Sequence, residues 1–147
     1  MKLQTASSVI SFAKSLETES AKFYEGLAQR YTQGKDAFLS FTKENSKNVA
    51  EIERAYYGVI TDAIEGCFSF DIEPDAYAIE TTLARAASYS AALAKAIELE
   101  EKIGKFYSDA AEQSKSLMAD VPRVFTLIAK KRGERGAKLR SFLGKKG

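Results

Sequence analysis

Apolar residues recur every three or four positions along most of this chain, and the points where polar groups break that rhythm carry most of the information. Ala6, Ile10, Ala13, Glu17, Ser20, Tyr24, Leu27 and Tyr31 form one such seam, widened by Val9, Phe12, Leu16 and Phe23, and predict a helix over about residues 5–33. Gly34 is a natural stop, and Asp36 can cap the next helix or charge its first turn. That second helix is predicted over about 36–65, with Phe38, Phe41, Asn45, Asn48, Ile52, Ala55 and Val59 on its seam and Gly66 closing it. A third, over about 82–116, carries Leu83, Ala86, Ser90, Leu93, Ile97, Glu100, Ile103, Tyr107 and Ala110. Asp120 followed by Pro122 starts a fourth, over about 121–143, which turns Phe125, Ile128, Leu139 and Phe142 inward. The last residues, Gly144 to Gly147, are expected to fray.

Residues 66–81 have no helical period, a proline and four acidic side chains. They read as an ordered crossover whose aromatic residues Phe68, Phe70 and Tyr77 cap one end of the bundle. Helices one and two, and three and four, then form antiparallel hairpins. The crossover decides how the hairpins meet: parallel placement of helices two and three requires a span of roughly 46 Å, which residues 66–87 can bridge at about 3.3 Å each. Up-down-up-down order would leave so long a connection unnecessary. The whole chain is therefore expected to be one all-α domain, residues 1–147.

Each seam is interrupted at its middle by groups that do not belong in a core: Glu17, the pair Asn45 and Asn48, Glu100, and the pair Arg132 and Arg135. An unpaired buried guanidinium is prohibitively costly, so buried arginines require carboxylates in the same layer. Glu17 and Glu100 are expected within ion-pair reach of Arg132 and Arg135, with the amides of Asn45 and Asn48 satisfying the remaining polar atoms.

The interruptions repeat. Glu17, Phe23 and Tyr24 match Glu100, Phe106 and Tyr107 at an offset of 83, and Phe38, Asn45 and Asn48 match Phe125, Arg132 and Arg135 at an offset of 87. Each half is a helical hairpin with one carboxylate on its first helix and a polar i, i+3 pair on its second. This is the skeleton of the carboxylate bundles in which two helices each supply a Glu and two supply a Glu-x-x-His pair. The segments from Ala96 to Tyr107 and from Phe125 to Leu139 resemble the rubrerythrin branch of the ferritin-like superfamily, and the likeness covers about 110 residues, the crossover excepted. That resemblance implies a ferritin-like four-helix bundle and a di-iron site. The single glutamates map onto Glu17 and Glu100, and the Glu-x-x-His pairs onto Asn45/Asn48 and Arg132/Arg135. Four of the six implied ligands are thus replaced: asparagine is a poor ligand for iron, and arginine does not give up its proton to become one. The two arginines stand where two cations are implied, leaving a layer that is neutral without metal.

Composition narrows the chemistry further. The chain has no histidine, which removes the commonest general base and nitrogen ligand, and with it any Ser-His-Asp or Cys-His nucleophile. One cysteine, Cys67, allows no internal disulfide and reads as a small apolar filler. Neither an export signal nor a membrane-spanning run is read, so the expected compartment is the cytoplasm. The net charge of +2 is unevenly spread: residues 121–147 hold nine Lys/Arg against Glu134 alone. Such a helix either recruits a polyanion or is absorbed by acidic neighbours. No base-reading motif accompanies the charges, so nucleic acid is not the expected partner.

The reading favoured is a metal-free, non-enzymatic structural, regulatory or partner-binding module with no cofactor. The alternative is a di-iron oxidoreductase of peroxide-handling type, as the resemblance would imply, with Glu17 and Glu100 as metal ligands and Glu44 or Glu98 recruited beside them. Against it, Glu44 and Glu98 lie off the seams. A third reading is polyanion binding through the fourth helix. A homodimer is expected through helix two, where Tyr56, Tyr57 and Ile60 widen the apolar surface.

Overall fold

A computed structural model describes residues 2–59, 70–115 and 120–144 of the chain. Its first helix, α1 (Ala6–Arg30), is started by a reciprocal cap: Thr5 Oγ1 accepts the Ser8 N–H and Ser8 Oγ accepts that of Thr5. The helix ends at Arg30, short of the expected residue 33, because Tyr31 turns extended and its hydroxyl donates to the Ala87 carbonyl at 2.7 Å. Gly34 then reverses the chain with φ of 71°, and a Cβ there would lie 2.6 Å from the Tyr89 hydroxyl oxygen. Both conditions require glycine.

The second helix, α2, spans Lys35–Val59, with Asp36 in its first turn where the dipole favours a negative charge. Its predicted continuation to residue 65, together with Gly66, Cys67 and Phe68, lies outside the described residues. Helix α3 spans Tyr89–Ser114 and α4 spans Asp120–Gly144. Among the described residues these four helices are joined by no strand beyond a single antiparallel bridge between Leu3 and Ile72. None of them is long and apolar enough to cross a membrane.

The contacts fix the helix directions. Lys14 meets Glu53, Glu17 meets Asn48 and Ser20 meets Asn45, so α1 and α2 are antiparallel. Phe12 meets Phe106, Tyr24 meets Glu100 and Tyr31 meets Tyr89, so α1 and α3 are antiparallel as well. Helices α2 and α3 therefore run parallel, on opposite corners of the bundle. Helix α4 closes the square against α3, where Tyr107 meets Phe125, and against α2. One contiguous apolar cluster fills the interior from Ala6 to Leu139.

The third helix begins later than its pattern predicts. Leu83 and Ala86, read as the start of that seam, belong to the connection instead, and Ala86 is exposed. Side-chain bonds override the helical period here: Arg30 donates to the carbonyls of Ala84 and Arg85 at 2.7 and 2.8 Å, and Ser88 caps Ala91. The described part of the connection, residues 70–88, runs as a strap over the α1–α3 face. It starts at the bundle end, where Phe70 and Ile72 bond Gln4 and Leu3, and continues through a 3-10 turn, Pro74–Tyr77. Phe70 caps the bundle as expected, with only 4% of its surface exposed. Tyr77 does not: it lies along the flank, its ring against Phe106 and its hydroxyl on Asp109, whose carboxylate also takes Lys105. Tyr77, Ile79 and Leu83 pack onto the core along this face.

Candidate functional site

At mid-height the four seams bring their polar interruptions into one layer. Glu17, Asn45, Asn48, Glu100, Arg132 and Arg135 are each at most 3% exposed. Arg132 occupies the centre. Its Nη1 donates to both carboxylate oxygens of Glu100 at 3.0 and 2.9 Å, and its Nη2 lies 2.7 Å from Oε2 of Glu17. The same Nη2 donates to Ser20 Oγ at 3.2 Å. A single guanidinium therefore ties α4 to α1 across the bundle and to α3 beside it. Burial disfavours the charged form of Arg132, but Glu100 and Glu17 outweigh it and hold the guanidinium more firmly protonated than usual.

Arg135 sits one turn further on, at the α2 side. Its Nη1 reaches Glu100 at 3.4 Å, its Nη2 donates to the Phe41 carbonyl and to Asn45 Oδ1, and its Nε donates to Glu44 Oε1 at 2.8 Å. The Phe41 ring centroid is 4.9 Å from the Arg135 Cζ, placing the cation over an aromatic face. Asn45 donates to the Glu17 carbonyl and Ser20, and Asn48 donates to Glu17 Oε1 at 3.2 Å, but the amides do not satisfy the whole layer: Asn48 Oδ1 and Arg132 Nε are buried without a partner.

Two tyrosines complete the layer with the symmetry of the repeat. Tyr24 of the first half donates to Glu100 of the second at 2.5 Å, and Tyr107 of the second donates to Glu17 of the first at 2.6 Å. Burial, reinforced by the carboxylate each one faces, raises both hydroxyls well above the usual tyrosine range. They act as fixed donors that never leave a carboxylate short of a proton-bearing partner.

Three participants were not assigned to the site from sequence. Tyr24 and Tyr107 lie on the predicted seams, and their common distance of seven residues from Glu17 and Glu100 is the signal that marks them. Ser20 carries no such signal. Glu44 corrects the sequence reading: it stands off the seam, yet its half-buried side chain bends inward as far as Arg135. Glu98, the other off-seam carboxylate, is exposed and outside the layer.

The basic character of α4 is met inside the fold at two positions and at the surface at two more. Arg132 and Arg135 pair with the layer carboxylates, Arg140 with Glu101, and Arg123 with Asp120. On α2, Tyr56 is only 8% exposed and so does not extend an outer apolar surface, whereas Tyr57 is 68% exposed. Ile60 lies outside the described residues. Among the described residues no three Asp, Glu or Cys side chains are grouped as metal ligands. No protein-family profile matches this sequence, and neither a curated protein nor a solved structure matches it significantly.

Proposed function

We propose that this chain is a ferritin-like four-helix bundle whose metal layer has been replaced by an internal ion-pair network, and that it acts without metal as a structural, regulatory or partner-binding module. The observation that carries this reading is Arg132, fully buried and shared between Glu17 and Glu100. The parallel course of α2 and α3, the long strap between the hairpins and the twofold exchange of Tyr24 and Tyr107 support the ferritin-like part of it.

The donor set does not fit two irons. Glu17 and Glu100 are the carboxylates that would hold them, but the guanidinium of Arg132 lies against both, and the two i, i+3 positions offer amides and guanidiniums. A cation brought into this layer would face two fixed positive charges, Arg132 and Arg135. Buried ion pairs add little net stability over an apolar core, so such a layer serves to fix which helices pair and in what register. A homodimer through the outer face of α2 is part of the proposal, with Tyr57 its exposed aromatic.

The test is a reversion. Changing Asn45→Glu, Asn48→His, Arg132→Glu and Arg135→His together restores the ligand types of a di-iron layer. The reverted protein should bind iron that the parent does not, followed by spectroscopic titration. Equal iron uptake by parent and variant would sink the reading.

A further inference from the structure

Away from the polar layer, the outer faces of α3 and α4 leave a groove of about 940 Å³ along their seam. Its more buried lining is Ala111 and Ala129, side chains too small to fill the space between two helices. Leu127 lines the same groove, is 48% exposed and takes no part in the core cluster. The rim is basic: Lys115, Arg123 and Lys130 stand there with one carboxylate, Glu112. Lys115 pairs with Glu112 and Arg123 with Asp120, each pair within one helical turn and open to water, and exposed pairs of that kind contribute little. Lys130 has no ion-pair partner among the described residues. Arg123 and Lys130 are seven residues apart, two turns or about 10 Å along one face of α4, with Leu127 between them.

We propose that this groove docks an acidic amphipathic helix of a partner protein, its apolar face seated on Leu127 and the two alanines and its carboxylates meeting Arg123, Lys130 and Lys115. The length fits. One wall runs from Ser108 to Lys115 and the other from Pro122 to Lys130, about 10–12 Å each, which is two turns of an incoming helix and room for apolar anchors at i, i+3 and i+4. Charge and shape favour this occupant over two others. A nucleic-acid backbone would satisfy the cations but leave Leu127 and the alanines against water. A second copy of the chain could offer the exposed Leu39 and Tyr57 of α2, but Lys43, Lys47 and Arg54 are exposed along that same face and would meet the basic rim. Such docking rests on the partner-binding part of the proposed function and uses none of the atoms of the ion-pair layer.

The probes are a fluorescein-labelled peptide of three Leu-Glu-Ala-Leu-Glu-Glu-Ala repeats and its counterpart with lysine at every glutamate, read by fluorescence anisotropy against the full-length protein. The acidic peptide should bind saturably and more weakly as salt is raised, and the basic one should not bind. Leu127→Ala should weaken binding about tenfold through the lost leucine burial, while Leu39→Ala, an equally exposed leucine outside the groove, should leave it unchanged. Arg123→Glu together with Lys130→Glu, both at exposed positions, should lose the acidic peptide and gain the basic one, an exchange that a misfolded variant would not make. Absence of saturable binding, or equal binding by parent and Leu127→Ala, would overturn the site. A DNA duplex that displaces the acidic peptide from parent and Leu127→Ala alike would overturn it too, by giving the cations to a polyanion. Iron uptake by the parent would count against the ion-pair layer without moving any of these results.

Discussion

Replacing Arg132 by methionine keeps most of the side chain's length and removes its charge. Glu17 is then left with the Tyr107 hydroxyl and the Asn48 amide, and Glu100 with Tyr24 and the longer contact to Arg135 at 3.4 Å. Of these two carboxylates, 0% and 2% exposed, Glu17 would lose its ion-pair partner and Glu100 would keep only the longer contact to Arg135. Stranding a buried charge in this way costs about 3–5 kcal/mol, a large share of the roughly 5–15 kcal/mol that holds a domain folded. At about 2–4 °C per kcal/mol for a chain of this size, the midpoint of thermal unfolding should fall by roughly 6–20 °C. Urea titration with an unchanged m-value would assign the loss to the native layer. The decisive comparison is Arg132→Met with Glu17→Gln and Glu100→Gln: removing all three charges should recover part of the loss, because no ion remains unpaired. Lys138→Ala, on the exposed side of α4, should stay within about 0.5 kcal/mol of the parent. A single Arg132→Met variant as stable as Lys138→Ala, or a triple variant less stable than its parts predict, would refute the reasoning.

Other outcomes follow from the same contacts. Tyr24 and Tyr107 are held protonated in the folded state above the ordinary value of 10.0, so their contribution is intact below that pH and is lost as pH rises. Each should make stability fall by about 1.4 kcal/mol per pH unit above about 10, and two of the seven tyrosines should ionise only on unfolding in a spectrophotometric titration. Gly34→Ala should cost about 1–2 kcal/mol from its left-handed backbone alone, plus the collision with Tyr89; adding Tyr89→Phe should recover only the collision. Tyr77→Ala should release the strap from Asp109 and Phe106, raising amide exchange over residues 70–88 while the four helices keep their protection.

The helices and the polar layer were legible because both depend on periodicity. Glu17, Asn45, Asn48, Glu100, Arg132 and Arg135 fall on apolar seams, and a 3.6-residue period leaves a side chain at such a position little choice but to face inward. What periodicity cannot show is reach. Glu44 stands one position from Asn45, and only its flexible stem lets it meet Arg135, so the pattern put it outside. The strap differs for the opposite reason: Leu83 and Ala86 fit a helical seam, but Arg30 and Tyr31, more than fifty residues away, take the carbonyls around them and hold the chain in a turn closed by the Ala87 N–H on the Ala84 carbonyl. The local sequence reads Tyr77 as an end cap because nothing near it reveals that its partner, Asp109, lies on the flank of α3.

Elemental analysis of the unmodified protein, purified without chelator and then dialysed against ferrous iron under anaerobic conditions, addresses the central claim directly. With Arg132 seated between Glu17 and Glu100, iron should stay far below one equivalent per chain before and after dialysis. A content close to two irons per chain, the complement of an intact di-iron bundle, would mean that the arginines leave the layer and that the ion-pair account is wrong.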